Sequence, residues 1–214
     1  LVGYWPFCGN ANDESGNGNN GTVNGSTLTT DRFGSANSAY SFDGLDDCID
    51  IGTSSSLDFG SSQILTVNYW VQASNGTDYR TVISRYYQGV ANNSSYGLNY
   101  GGDNIGVYGD GTVAWMVVNS PTGVSWNEIT IVMNKATGTA QIYKNGVFVT
   151  SGNVNYNSGI SSVITSIGRM YAGSPGSINS NHFNGKIDDI GIWNRALTNQ
   201  EIQELYSGST TTPA

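Results

Sequence analysis

Along the chain, short runs in which apolar and polar residues alternate are separated by clusters of Gly, Asn, Asp and Ser. A period of two puts successive side chains on opposite faces of an extended backbone, so each run reads as a strand with one face in a core. Leu65, Val67, Tyr69 and Val71 take one face of such a strand, while Thr66, Asn68 and Gln72 share the other with Trp70. That second face is polar, with an aromatic platform. Ile129, Ile131 and Met133 repeat the alternation, and further strands are predicted at 4–7, 39–42, 48–51, 81–85, 96–100, 113–118, 164–169 and 187–193. Between 141–144 and 147–149 lies Asn145-Gly146, a hairpin signal because both residues tolerate the positive φ that a tight primed turn demands.

Many short strands with turn clusters between them predict an all-β, antiparallel two-sheet sandwich or a barrel, and not βαβ units. One short helix is predicted near the C-terminal end, where Thr198-Asn199-Gln200-Glu201 forms a capping box leading into Ile202, Leu205 and Tyr206. Beyond Gly208 the chain becomes Ser-Thr-Thr-Thr-Pro-Ala, a linker or tail, which leaves 1–208 as one domain. Leu1 stands where an initiator Met and a signal peptide would be, so the sequence reads as a mature form or an excised piece.

Composition narrows the setting. Charged residues are 11% of the chain, whereas there are 29 Gly and 13 Tyr among abundant Asn, Ser and Thr. A neutral polar surface of this kind suits turn-rich β structure and an extracellular, secreted life. The net charge of −8 and the lack of any Lys or Arg cluster argue against nucleic acid as a partner. No apolar run approaches the roughly 18 residues of a membrane span. Cys8 and Cys48 each fall in a predicted strand, opposite Phe7 and Ile49; a disulfide and two buried free thiols are both open, and the extracellular composition favours the bridge. Closing that loop would stabilise the fold by about 4 kcal/mol.

Three stretches together resemble the laminin G-like jelly roll family of the concanavalin A-like lectin/glucanase superfamily, in its bacterial form. They are 4–22 followed by Ala39-Tyr40-Ser41-Phe42-Asp43-Gly44-Leu45-Asp46-Asp47, the hairpin around Asn145-Gly146, and 183–197 running into the capped helix. The resemblance implies a concanavalin A-like jelly roll and an accessory binding role in a secreted multidomain protein, and it fixes no ligand. Positions 8 and 48 are a usual Asn and a usual aromatic in that family. Their joint change to Cys supports the bridge.

Catalytic signatures are missing. Glycanases of this fold carry paired carboxylates on one strand, but Glu14 sits in a Gly-Asn loop, Glu201 and Glu204 in the helix, and Glu128 in a strand without a second acid at the right spacing. His182, the single histidine, precedes a strand start and reads as a turn or edge residue, and no Gly-x-Ser-x-Gly elbow occurs.

A metal is a better prospect. Asp188 shares its predicted pleat side with Ile190 and Ile192, so it should point between the sheets, where a carboxylate needs a partner; Lys186 is the plain alternative. In resembling domains a structural calcium, Ca2+, sits where the N-terminal loop meets this strand, which implies Asp188 beside Asp13 and Asp43-Gly44. Ordinary turn chemistry competes for Asp43, Asp46 and Asp47.

For glycan binding the useful groups are aromatic faces and neighbouring hydrogen-bonding side chains. Arg85, Tyr86, Tyr87, Tyr96, Tyr100, Tyr108 and Trp115 fall in one central segment, where the concave sheet and its rim are expected, although each alone could be core. The reading that results is a noncatalytic carbohydrate-binding module that binds a polysaccharide or other glycan. Its rival is an adhesin or spacer domain that binds protein or nothing.

Overall fold

The computed structural model describes residues 1–59, 63–74, 80–88, 94–101, 104–109, 113–117, 125–156, 163–172 and 181–208, with the side chains of 86–88, 94–95, 113, 117 and 171–172 outside the description. The strands are β1 (Gly3–Trp5), β2 (Thr22–Asn24), β3 (Thr27–Thr29), β4 (Ala39–Asp43), β5 (Cys48–Gly52), β6 (Ile64–Ala73), β7 (Arg80–Gln88), β8 (Ser94–Gly101) and β9 (Asn104–Tyr108). They continue as β10 (Val113–Val117), β11 (Asn127–Asn134), β12 (Thr139–Lys144), β13 (Val147–Asn153), β14 (Thr165–Ile167), β15 (Tyr171–Ala172) and β16 (Asn184–Trp193), followed by one helix, α1 (Asn199–Ser207). The tail at 209–214 lies outside the described residues.

Two sheets face one another, as alternation predicted. The first runs β13-β12-β11-β6-β16-β4-β3, with β1 added on β16; the second runs β10-β9-β8-β7-β14-β5-β2, with β15 on β7. Pairing is antiparallel except for β15. Leu65, Val67, Tyr69 and Val71 on β6 and Ile129, Ile131 and Met133 on β11 fill the space between the sheets against Tyr96, Leu98, Tyr100, Ile105 and Val107 of the second sheet. Apolar area removed from water, at about 25 cal/mol per Å2, drives that closure.

The hairpin between β12 and β13 closes on Asn145 and Gly146, both with positive φ (52° and 75°), the geometry the sequence pair predicts. In α1 the Thr198 hydroxyl accepts the Glu201 amide at 3.2 Å, and the Glu201 carboxylate accepts the Thr198 amide at 2.7 Å. The box therefore satisfies two amides that the first helical turn cannot. Gly208, with φ 67°, ends the helix in the left-handed region. Ile202 packs with Val132, Tyr143, Trp193 and Leu197 in a small second core on the outer face of the first sheet.

Two expectations fail here. Strand β1 ends at Trp5, and Phe7 takes a positive φ of 53°, so Cys8 lies in an exposed loop and not in a strand. Cys48 is buried at the start of β5 in the other sheet, and both cysteines are free thiols, so the expected disulfide is absent. The second failure concerns Asp188. Register shifts between Asp188 and Gly191, and Asp189 sits at φ 45°. That bulge inserts a residue and reverses the inside-outside alternation. Ile187 faces the core before it and Ile190 and Ile192 after it, which leaves Asp188 opposite Trp70 on the outer face.

Candidate functional site

Around Trp70 the outer face of the first sheet is closed. Trp70 keeps only 8% of its surface, because Tyr206 of α1 stacks on it and the Arg32 guanidinium lies 4.3 Å from its ring centre. The aromatic platform expected there is thus covered. Arg32 also lies 4.4 Å from the Phe33 ring and bridges Asp188 at 2.9 Å and Asp189 at 2.7 Å. Arg32, and not Lys186, is therefore the partner of Asp188. Burial and the charge of Asp189 push the Asp188 carboxyl up, with Arg32 pulling the other way.

Beside them Glu128 is fully buried, its carboxylate accepting from Asn68, Thr130 and, at 2.9 Å, the Gly146 amide of the hairpin turn. Burial pushes this carboxyl up to about 7, against those three hydrogen bonds. Gly146 lies against Tyr206 and Gln203 of α1, so the one glutamate on a central strand sits beneath the hairpin and the helix.

The second sheet is different. Register gives two rows on its outer face: Trp115, Gly106, Asn99 and Thr81 from β10 to β7, then Tyr108, Gly97, Ser84, Ser166, Asp50 and Thr22 from β9 to β2. Part of this face is crossed by 168–172, which folds back after β14 and re-enters the sheet as β15. Ser84 donates to the Arg169 carbonyl at 2.8 Å, and the Arg169 guanidinium meets Asp50 at 2.6 Å. At the β9–β10 edge none of the described segments is seen to cross the face. Trp115 is 41% exposed, and a Cβ on Gly106 would lie 2.4 Å from its ring, so the indole rests directly on the glycine backbone. Tyr108 meets it edge-on with ring centres 6.1 Å apart, and burial raises the Tyr108 hydroxyl's pKa. Asn104 shares their face of β9. Next to Gly106, the buried Asn99 accepts from the Thr81 hydroxyl at 2.9 Å and leaves its amide nitrogen without a partner.

The expected glycan residues divide accordingly. Trp115 and Tyr108 lie together on the open face. Tyr96 and Tyr100 point into the core with Leu98. Arg85, opposite Tyr96 and also buried, donates to Thr165 at 3.0 Å and to the Thr53 carbonyl at 3.3 Å, with Asp58 3.8 Å away. These three cannot meet a ligand on the concave face. Tyr86 and Tyr87 lie in β7, but their side chains are outside the described residues. Strand β9 escaped the sequence reading, although Ile105 and Val107 against Asn104, Gly106 and Tyr108 carry the period of two. Arg32 and Arg169 had no local signal, since their partners are remote in sequence.

The metal candidates also separate. Asp13 spends its carboxylate on the N-terminal loop, accepting from Tyr4 and Ser15 at 2.9 Å each and from Asn19 at 2.9 Å. Burial alone would raise its pKa, but those hydrogen bonds hold it below the usual carboxylate range. Asp43 instead joins Asp46 and Asp47, whose carboxylate oxygens lie within 4.8 Å of one another, the one such group of three among the described residues. Gly44 makes this turn at φ 82°, where a Cβ would meet Asn184 at 2.8 Å. Asp47 accepts the Asp43 amide at 2.9 Å. Burial and the charges of Asp43 and Asp46 raise its pKa, so a set of oxygens under mutual repulsion suits a hard cation. His182, expected as a turn or edge residue, precedes β16 and is buried, with Nδ1 at 3.4 Å from the Asp47 carbonyl.

No curated protein sequence matches the chain. Among solved structures, domain 4 of AbnA, a GH43 extracellular arabinanase from Geobacillus stearothermophilus in complex with arabinotriose, is similar at TM-score 0.68 and 19% identity, covering 96% of this chain and 98% of that one. The binding domain of Paraclostridial Mosquitocidal Protein 1 is similar at TM-score 0.68 and 16% identity, covering 92% and 49%. The binding domain of botulinum neurotoxin DC in complex with SialylT is similar at TM-score 0.66 and 16% identity, covering 96% and 50%. This chain spans about half the length of the toxin binding domains it matches. At such identities the likeness establishes the fold. A family model of laminin G type matches residues 42–203, and the chain belongs to the concanavalin A-like lectin/glucanases superfamily.

Proposed function

We propose that this chain is a noncatalytic carbohydrate-binding module of a secreted, extracellular multidomain protein, and that it holds a polysaccharide at the β9–β10 edge of the second sheet. The observation that carries the reading is Trp115, a large indole kept exposed on a glycine floor with Tyr108 at its edge. Such a face stacks on a sugar ring. The arabinotriose complex of the AbnA domain supports a glycan as ligand class. Burial of Glu128 supports a noncatalytic role, because an acid beneath α1 and the hairpin cannot protonate a glycosidic bond.

Trp115→Ala tests this. Affinity for whichever polysaccharide the intact chain retains should fall at least tenfold, about 1.4 kcal/mol, with an unchanged circular dichroism spectrum. Equal retention by wild type and variant would remove the platform from the binding site. The rival, an adhesin domain for protein, rests on the exposed Val147, Phe148 and Val149 of edge strand β13. It expects Phe148→Asp to abolish attachment and Trp115→Ala to leave it intact.

We also propose a structural calcium at Asp43, Asp46 and Asp47. Its role would be to neutralise the turn that joins β4 of one sheet to β5 of the other.

A further inference from the structure

We infer that the glycan held at the Trp115 platform is uncharged, a neutral polysaccharide and not one bearing uronate, sulfate or sialate groups. This deepens the glycan reading above and rests on it. Recognition of an anionic sugar needs a cation within hydrogen-bond reach, most effectively the fork of an arginine. The chain has no Lys or Arg between Arg85 and Lys135, the stretch that builds β8, β9 and β10, and it has Asp103 and Asp110 on either side of β9.

Three cations border this stretch, and Arg80, at the start of β7, stands opposite Tyr100 and so takes the face that points into the core. Arg85 is buried in the core with Thr165, Thr53 and Asp58. Arg169 is engaged with Asp50 on β5, four strands from β9 in the sheet order, or about 19 Å at the usual strand spacing. Every side chain that the described part of the open edge presents is neutral: Trp115, Tyr108 and Asn104, with Asn99 and Thr81 in the next strands. Tyr108 stays protonated as well, since burial raises its pKa. An anionic sugar would therefore lose its hydration at an uncompensated surface of a chain with net charge −8. A neutral sugar loses nothing of the kind. Its apolar ring face can lie on the indole, and no charge is left unmatched there.

The test is titration of the whole chain, by tryptophan fluorescence and calorimetry, with two sets of oligosaccharides at low and high salt. One set is neutral (arabino-, xylo-, gluco- and galacto-oligosaccharides), and the other is charged (oligogalacturonate, heparin fragments and sialyllactose). The expected result is binding of at least one neutral oligosaccharide that is insensitive to salt, is weakened at least tenfold by Trp115→Ala and is largely kept by Trp115→Phe. Every charged oligosaccharide should bind at least tenfold more weakly. A charged oligosaccharide that binds more tightly than all neutral ones, loses affinity with salt and depends on Trp115 would overturn the inference while leaving the glycan reading in place. Failure of both sets to bind would overturn the two together.

Discussion

Arg32 shows how one side chain can close a surface. Its guanidinium spans Phe33 and Trp70 and ties Asp188 to Asp189, so it supplies both packing and charge to a face that would otherwise hold two adjacent carboxylates. Arg32→Met keeps a long apolar stem over Trp70 but leaves the buried Asp188 unpaired. Its expected cost is about 3 kcal/mol in chemical denaturation. The sign of the pH effect follows from Asp188, whose pKa is raised in the fold. The stability linked to a raised group is present below its unfolded pKa and lost as pH rises through the folded value, and removing Arg32 steepens that loss. The deficit of the variant should thus be largest in mild alkali and shrink in mild acid, and a deficit independent of pH would mean that only packing was lost. None of this was legible in the sequence. Alternation predicts which face a residue takes only while the register holds, and the bulge breaks it at Asp189, which takes the positive φ although Gly191 stands two residues on. Tyr96 and Tyr100 err in the other direction, since they alternate in phase with Leu98 and so belonged to the core by the same rule that located β6. The density of aromatics along the chain said nothing about which way each one points.

Helix α1 and the β12–β13 hairpin act as one element. Asn145-Gly146 and the Thr198–Glu201 box were legible because a tight turn and a helix start are decided by a few adjacent residues. What they cover was not, because Glu128 meets Asn68, Thr130 and Gly146 only once three segments are assembled. Glu128 makes this element sensitive to pH. Its carboxyl moves from 4.5 to about 7 on folding. The fold therefore favours the protonated acid, so this contribution to stability is whole below about pH 4.5 and is lost as pH rises through about 7. At most about 3 kcal/mol is involved, from 1.36 kcal/mol per unit. Glu128→Gln keeps the shape and an amide in the network but cannot ionise. Comparing denaturation midpoints from acid to mild alkali, the wild type should lose stability relative to the variant across neutrality. Parallel profiles would show that the three donors hold Glu128 ionised throughout.

At the scale of the whole molecule, the sheets differ in what they leave open: α1 and Arg32 cover the first sheet around Trp70, and the chain through Arg169 covers the second beside Ser84 and Asp50. The turn from β4 to β5 passes from the first sheet to the second, and it gathers Asp43, Asp46 and Asp47 on a chain that already carries 16 acids against 8 bases. Repulsion there acts on a connection between the two layers, so a cation that binds this turn ties the sandwich together. A calcium held only by the folded state raises stability by RT ln(1 + [Ca]/Kd), about 2.7 kcal/mol at a hundredfold excess over Kd. For a domain of this size that corresponds to a rise of about 5 to 10 °C in the melting temperature. Thermal unfolding with calcium and with chelator measures it. Asp46→Asn is the discriminating variant, because Asp46 is exposed and its loss should leave the chelated midpoint near that of the wild type while shrinking the calcium increment. Asp13→Asn should do the opposite, lowering both midpoints together, because the negative charge of Asp13 serves the amides of Tyr4, Ser15 and Asn19. If the wild-type midpoint is the same with calcium and chelator, the three aspartates serve the turn alone, through hydrogen bonds such as the one Asp47 accepts from the Asp43 amide.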